Sequence, residues 1–131
     1  MAAEGNLHLL PGVQANANMG NAGISSAAAQ FYVVQLSAND TVGLGNATAV
    51  PAGILQNKPG NGYPAEVAYA GRSKGFFGAA ITAGNLVTTD ANGCLTTVSN
   101  NTYIVGRCVG GAGANEIGDV EITLAGKYYT I

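Results

Sequence analysis

The hydrophobic residues of this chain fall mostly in short runs that alternate with polar residues or are interrupted by glycine, asparagine and proline. In residues 119–124, acids and threonine alternate with aliphatic side chains, and this period of two predicts a half-buried strand. Residues 31–36 are rich in β-branched and aromatic side chains, which favours a second strand. Similar strand character occurs in residues 64–70, 86–89, 94–98, 103–109 and 128–131. No run of ten residues shows a convincing amphipathic helical pattern.

A tight turn is indicated between two of these segments. Residues 86–89 and 94–98 flank Asp90, Ala91, Asn92 and Gly93. Asparagine followed by glycine accepts the positive φ angles that tight hairpins require, so we expect a β-hairpin here. Several short strands at near-regular spacing predict an all-β fold, a small β-barrel or β-sandwich with an extended N-terminal arm.

The arm is predicted from a change of composition near residue 31. Residues 1–30 contain one apolar patch, residues 7–11, followed by a stretch rich in glycine and asparagine. Both residue types oppose helix and strand, because glycine loses more entropy on ordering and asparagine competes for its own backbone. We therefore predict a flexible N-terminal arm over residues 1–30 and a β-domain over residues 31–131.

Composition argues against several kinds of function. Only 9% of the residues are charged, against about 25% in a typical domain, and the chain has one histidine, two cysteines and no tryptophan. No acid, base and nucleophile form a cluster, and the acids match no calcium loop. We expect a protein that is not an enzyme and that holds no cofactor and no metal. The five cations are spread along the sequence and the net charge is −2, so we expect no nucleic-acid partner.

The two cysteines leave two alternatives open. Cys94 and Cys108 are too few for a disulfide framework and lack CxxC spacing. They are either two buried small hydrophobic residues or one disulfide between neighbouring strands. The N-terminus lacks the basic and apolar regions of a signal peptide, and no apolar run approaches the ~20 residues of a membrane span. We therefore expect synthesis in a cytoplasm and no membrane partner.

The region from Gly53 to Leu124 carries a characteristic order of turn and core signals. Its main segments are residues 65–71, 81–93, 104–108 and 118–124. This order resembles the head decoration, or capsid cement, proteins of tailed bacteriophages. The resembling region covers a little over half of the chain.

The resemblance implies a small β-barrel-like fold and a structural role. Such a protein would lie on the outer capsid surface of the virion, commonly as a homotrimer, after assembly in the host cytoplasm. Its partner would be the major capsid protein, and it would hold the shell against the pressure of the packaged DNA. The alternative function is a carbohydrate- or cell-surface-binding β-module of a fibre or adhesin.

Large apolar side chains outside the regular core are the candidate contacts with the capsid or with other subunits. Burying one such side chain contributes about 1.5–3 kcal/mol, whereas ordering an arm costs about 1–2 kcal/mol per residue. Only a few arm residues are therefore expected to act as anchors. For the two phenylalanines, which we place in a glycine-flanked loop, the sequence leaves core and interface equally open. The candidates are Leu7, Leu9 and Leu10 in the arm, Phe76 and Phe77 in the loop, and Tyr128 and Tyr129 at the C-terminus.

Overall fold

The computed structural model describes residues 7–16 and 29–129 of the chain. The described residues form strands, turns and loops with no α-helix, which confirms the predicted all-β class. None of them forms a helix that is long and apolar enough to cross a membrane. The strands are β1 (His8–Leu9), β2 (Gln14–Ala15), β3 (Val33–Ala38), β4 (Thr41–Leu44), β5 (Gly53–Leu55), β6 (Val67–Phe77), β7 (Leu86–Thr89), β8 (Leu95–Thr97), β9 (Thr102–Tyr103), β10 (Gly106–Gly110), β11 (Glu116–Thr123) and β12 (Lys127–Tyr128).

Five strands close into a small barrel. Strand β6 pairs antiparallel with β11 over the whole length of β11, from Glu116 opposite Phe77 to Thr123 opposite Ala70. Strand β11 pairs with β10, β10 with β7, and β7 with β8. The ring closes where Phe77 of β6 lies parallel to Leu95 of β8. Closure removes the open edges that a flat sheet of these strands would expose.

A second group of strands extends from the start of β6. Strand β5 pairs with the first residues of β6, β3 pairs with β5 and β4, and β2 lies parallel to β4. A separate two-stranded sheet joins β9 to β12 near the C-terminus. The fold is thus a five-stranded barrel with an attached, mostly antiparallel layer.

Strands β3, β5 and β6 separate two hydrophobic cores. Val33 and Val34 are neighbours in β3 and are both fully buried, but Val33 packs in the barrel core and Val34 in the second core. Ile54 and Leu55 of β5 divide in the same way. Strands buried on both faces consist of continuous apolar runs, not of alternating residues, which accounts for the uninterrupted apolar pairs in this part of the sequence.

Gly71 changes the face that β6 turns toward the barrel. Before it, Ala68 faces the barrel core. After it, the buried positions are Ser73, Gly75 and Phe77. The residues that face the barrel therefore change from even-numbered to odd-numbered positions. Gly71 has a φ of 105°, a conformation that glycine adopts readily and other residues rarely do. One long strand can therefore serve both cores.

The predicted hairpin is present between β7 and β8. The Asp90 carboxylate accepts hydrogen bonds from the backbone N–H groups of Asn92 (2.8 Å) and Cys94 (3.0 Å), and Gly93 has a φ of 79°. Strand β7 has the predicted bounds. Strands β4 and β5 were not predicted, and β6 continues to Phe77 beyond the expected end at residue 70. The expectation that Phe76 and Phe77 lie in a loop is therefore wrong.

Residues 7–16 of the predicted arm lie against the β-domain. Strand β1 pairs with β6, and the amide of Leu10 donates a hydrogen bond to the carbonyl of Val67 (2.8 Å). Val13 and Ala15 are buried in the second core. Over these residues the chain is part of the folded layer, because its apolar side chains complete that core. Residues 1–6 and 17–28 lie outside the described residues, so flexibility of the arm as a whole stays a prediction.

Candidate interaction surfaces

The seven residues expected to make contacts lie in different environments. Phe77 has no exposed surface and is among the largest fully buried side chains. It fills the barrel core beside Leu95 and Val120, so it is unavailable to a partner. Its assignment as a contact residue is wrong for that reason, and the core alternative holds for Phe77. The other six residues lie at three separate surfaces.

The first surface is formed by residues 7–13, which include the apolar patch of residues 7–11. Leu7 packs against the barrel core and Leu10 against the second core, whereas Leu9 is 46% exposed. Two open depressions of about 450 and 520 Å³ lie on either side of this segment, and Leu10, Pro11 and Val13 line both. We call the two depressions together the leucine groove; its apolar residues are Leu9, Leu10, Pro11, Val13, Leu36, Ala38, Pro64 and Ala65.

The leucine groove carries two acids. Asp40, at the turn between β3 and β4, lines one depression, and Glu66, just before β6, lines the other. Both are exposed. Neither depression is lined by lysine or arginine, and no salt bridge within the described part of the chain includes either acid. The groove therefore combines apolar side chains with two carboxylates that no cation of its lining compensates.

The second surface is the outer face of β6, β10 and β11, which we call the barrel face. Phe76 is half-buried on it and stacks on Tyr32, with ring centroids 4.9 Å apart and an interplanar angle of 6°. Ile117 lies directly opposite Phe76 in the sheet and is 45% exposed. Cross-strand neighbours share one face of a sheet, so these side chains form one apolar patch.

The charged residues of the barrel face form a mixed array. Three of the five cations and two acids occupy it, although the cations are spread along the sequence. Arg107 binds Glu121 at 2.7 Å, and Arg72 lies 3.7 Å from Asp119. Lys74 lies over the ring of Phe31, with its Nζ 5.9 Å from the centroid. Interleaved acids keep this face from being a basic surface; the absence of a nucleic-acid partner stays a prediction.

The third surface lies at the C-terminal end of the described chain. Tyr128 of β12 is half-buried and pairs with Thr102 of β9, whereas Tyr129 is 64% exposed. The Lys127 Nζ lies 5.0 Å from the centroid of the Tyr103 ring. We call residues 127–129 the tyrosine strand. It presents a cation next to two large side chains that have both apolar and hydrogen-bonding surface.

The cysteines are buried thiols. Neither Cys94 nor Cys108 is in a disulfide. Burial raises the pKa of Cys94 to about 11, helped by the negative charge of Asp90 and opposed by a hydrogen bond with Tyr32. Burial and then the charge of Asp119 raise the pKa of Cys108. Since the thiolate is the reactive form, both thiols are poor nucleophiles at neutral pH.

The described residues contain no group of three or more His, Cys, Asp or Glu side chains that is placed to hold a metal ion. His8, the single histidine of the sequence, has its ring 6.0 Å from that of Tyr69.

The fold is shared with a phage protein of known structure. A solved structure similar to this chain is that of the N base of the head fibre protein gp8.5 from bacteriophage phi29. The TM-score is 0.65 at 15% sequence identity, and the match covers 89% of this chain and 95% of the other. No family model matches the sequence, and no curated protein matches it either. The likeness shows a common fold.

Several surface residues were not found by sequence analysis. The sequence predicts a strand over residues 31–36 but does not specify on which side of the sheet Leu36 lies. Ile117 lies just before the alternating segment that predicts β11. Asp40 and Glu66 are far apart in sequence and meet at the groove only through the fold. Only the cation of the tyrosine strand had a local signal in the sequence, because Lys127 directly precedes the two tyrosines.

Proposed function

We propose that this chain is a structural protein of a phage virion that binds the outer surface of the head as a homotrimer and stabilises the shell. The observation that carries the proposal is the common fold with the base of a phage head fibre, over nearly the whole length of both chains. The resemblance of residues 53–124 to capsid decoration proteins supports the same role. Major capsid protein is then the partner.

The barrel face is the surface that we assign to the head. It combines an exposed apolar side chain, Ile117, with a half-buried aromatic pair and both signs of charge. Apolar contacts contribute affinity, and interleaved charges fix the register of a complex. Three copies of a weak contact in one trimer give strong attachment through effective concentration.

The first experiment locates the protein in the native lysate. A nuclease-treated lysate is fractionated on a density gradient, and each fraction is probed with an antibody against this chain. We expect the protein to migrate with DNA-filled particles in many copies. Its presence only at the top of the gradient would overturn the proposal. Binding of that free protein to glycans or host cells would then favour the adhesin alternative.

A second experiment tests the barrel face. Particles produced without this protein are mixed with purified protein, and bound and free chains are separated. Ile117→Asp should abolish attachment, because it places a new charge in the apolar patch. The matched control is Val50→Asp, which makes the same kind of change at a position that is 64% exposed and outside the three surfaces. Equal attachment of both variants would remove the barrel face from the proposal.

Stabilisation of the shell is measured on the same particles. Heads with and without the protein are heated, and DNA release is followed with a dye that cannot enter intact heads. We expect release at a lower temperature from heads that lack the protein, since each bound trimer adds binding free energy to the closed shell. Equal release temperatures would leave attachment intact and refute the stabilising role.

A further inference from the structure

The leucine groove selects for a partner with a definite chemistry. Its lining includes Leu9 and Leu36, which are 46% and 55% exposed. Asp40 and Glu66 add a negative charge that no cation of the groove neutralises. Large apolar side chains next to a cation would bury the leucines and compensate the acids. Complementary charges favour such a partner over a neutral or acidic one.

This chain itself carries a segment of that kind. Arg72 and Arg107 are engaged with acids of the barrel face, and Lys74 lies over Phe31 beside them. Lys127 lies over the ring of Tyr103 in its own strand pair, but it has no salt bridge within the described residues and adjoins an exposed aromatic side chain, Tyr129. Tyrosine is a common anchor at protein interfaces, and a cation beside it can pair with acids of the partner. The tyrosine strand is therefore chemically complementary to the leucine groove.

The register of the sheet places the two elements suitably for a contact between copies. Ala70 of β6 pairs with His8 of β1 and with Thr123 of β11, which lie on its two sides. Strands β1 and β11 both run antiparallel to β6, so the segments that follow them continue toward the beginning of β6. The groove follows β1 and the tyrosine strand follows β11, so the two elements lie toward the same end of the barrel, on different sides of β6. When copies of a chain form a closed ring by head-to-tail contacts, the two unlike contact patches must lie at a similar position along the ring axis.

Within its own protomer the tyrosine strand is held away from the groove. The carbonyl of Tyr128 accepts a hydrogen bond from Asn101 (2.7 Å), and that of Gly126 accepts one from Ile104 (2.7 Å). These bonds fix the strand beside β9. We propose that the tyrosine strand of one copy docks in the leucine groove of a second copy. This contact deepens the proposed homotrimer and rests on it, since head-to-tail contacts of one kind close into a ring.

Charge reversal tests the contact on the intact chain. Sedimentation velocity at low and high salt gives the oligomer mass of wild type, Lys127→Glu and the double variant Asp40→Lys with Glu66→Lys. Each variant should weaken association roughly tenfold or more, which corresponds to about 1.4 kcal/mol or more. The control is Lys58→Glu, which makes the same charge change at an exposed position that lines neither depression.

The decisive variant combines all three reversals in one chain. Lys127→Glu with Asp40→Lys and Glu66→Lys restores opposite charges across the contact, so association should recover toward the wild-type value. All substituted positions are exposed, and thermal unfolding of each variant verifies that it is folded. A wild-type protein that is monomeric at every concentration overturns the contact. So does a Lys127→Glu variant that associates like wild type, or a triple variant that stays as weak as the double.

Failure of this contact and failure of the proposed function give different results. Particle attachment is scored on the density gradient, independently of oligomer mass. A protein that migrates with virions but is unaffected by the reversals loses only the contact. A protein that never migrates with virions but obeys the reversals keeps the contact and loses the phage-head role.

Discussion

The ring of Phe76, near the end of β6, stacks on the ring of Tyr32, just before β3, with centroids 4.9 Å apart. The stack crosses from the barrel to the attached layer, on the outside of the molecule. The next residue, Phe77, points the other way and is fully buried in the barrel core. Two adjacent phenylalanines therefore serve two purposes, because successive residues of a strand face opposite sides.

Alanine substitutions at these two positions should separate stability from attachment. Phe77→Ala should lower the free energy of unfolding by about 3–5 kcal/mol, since it leaves a cavity in the core. Phe76→Ala should cost less, about 1 kcal/mol for the aromatic stack plus the burial of a half-exposed ring, but should reduce attachment to phage heads. Urea unfolding and the particle-binding assay measure the two effects. A larger loss of stability at Phe76 than at Phe77 would contradict the assignment.

The two cores make a second prediction at Val33 and Val34. Each valine is fully buried, one in each core. Replacement by alanine should cost about 2 kcal/mol at either position, from lost burial and the remaining cavity. The matched control is Val50→Ala, at a mostly exposed valine, which should stay within about 0.5 kcal/mol of wild type. Equilibrium unfolding in urea decides the matter. A near-zero effect at Val34 would show that the second core adds little stability.

The sequence predicted those parts of the fold that depend on local rules. Strand β7 and the following turn were found because β-branched residues and an Asn-Gly pair act over a few residues. The second half of β6 was missed because Gly71, Gly75 and the charges between them are typical of loops. In the folded chain the Leu95 side chain occupies the space that a side chain at Gly75 would need. That requirement comes from a strand twenty residues away and leaves no local signal.

The same distinction applies to the candidate surfaces. Leu9 and Leu10 in the arm, and Tyr128 and Tyr129 at the C-terminus, were identifiable as large side chains with apolar surface outside the predicted core. Their partners were not, since Asp40 reaches the leucine groove only through the turn between β3 and β4. The barrel face also required the register of β6 and β11, which aligns Lys74 with Asp119. Pairing partners depend on tertiary packing, and periodicity alone does not specify them.

Gly93 should tolerate substitution less well than Gly12, although the two have similar φ angles of 79° and 75°. A Cβ at Gly93 would lie 2.7 Å from Leu44 Cδ1 and 3.0 Å from the Val33 carbonyl oxygen. A Cβ at Gly12 would have no neighbouring heavy atom within 4 Å. Gly12→Ala should cost about 1 kcal/mol for the left-handed backbone alone. Gly93→Ala should cost about 1–3 kcal/mol more, for overpacking. Thermal and urea unfolding compare them, and equal losses would contradict the packing argument.

The raised pKa of Cys94 predicts a loss of stability at alkaline pH. Burial and the charge of Asp90 raise this pKa from the ordinary 9.0 to about 11. The unfolded chain therefore loses the thiol proton at a lower pH than the folded chain, so stability is complete below pH 9 and falls between pH 9 and about 11. Cys94→Ala should make this fall shallower. Urea unfolding across that pH range measures the free energy of unfolding. If that free energy falls as steeply with pH in the variant as in wild type, Cys94 is not the source of the fall. Tyr32 and Cys108, whose pKa values are also raised, should supply the remaining slope.

Trypsin should cut the folded chain at one position. Its possible sites follow Lys58, Arg72, Lys74, Arg107 and Lys127. The bond after Lys58 precedes Pro59 and resists trypsin, and the next three sites lie within β6 and β10, whose neighbours on the barrel hold the backbone in ladders. Proteases need a segment that opens locally. The bond between Lys127 and Tyr128 lies in β12, which pairs with β9 over two residues only, so this strand should open more readily than β6 or β10.

Mass spectrometry of a limited digest, made at a concentration at which the chain is monomeric, should therefore show loss of residues 128–131 and no internal cleavage. The shortened protein lacks both tyrosines of the tyrosine strand. If that strand joins two copies, the shortened protein should stay a smaller species than the intact chain when both are concentrated. Digestion in urea, where the barrel is open, provides the control and should add cuts after Arg72, Lys74 and Arg107. Early cleavage after Arg107 without urea would contradict the closed barrel, because β10 would then be free of β7 and β11.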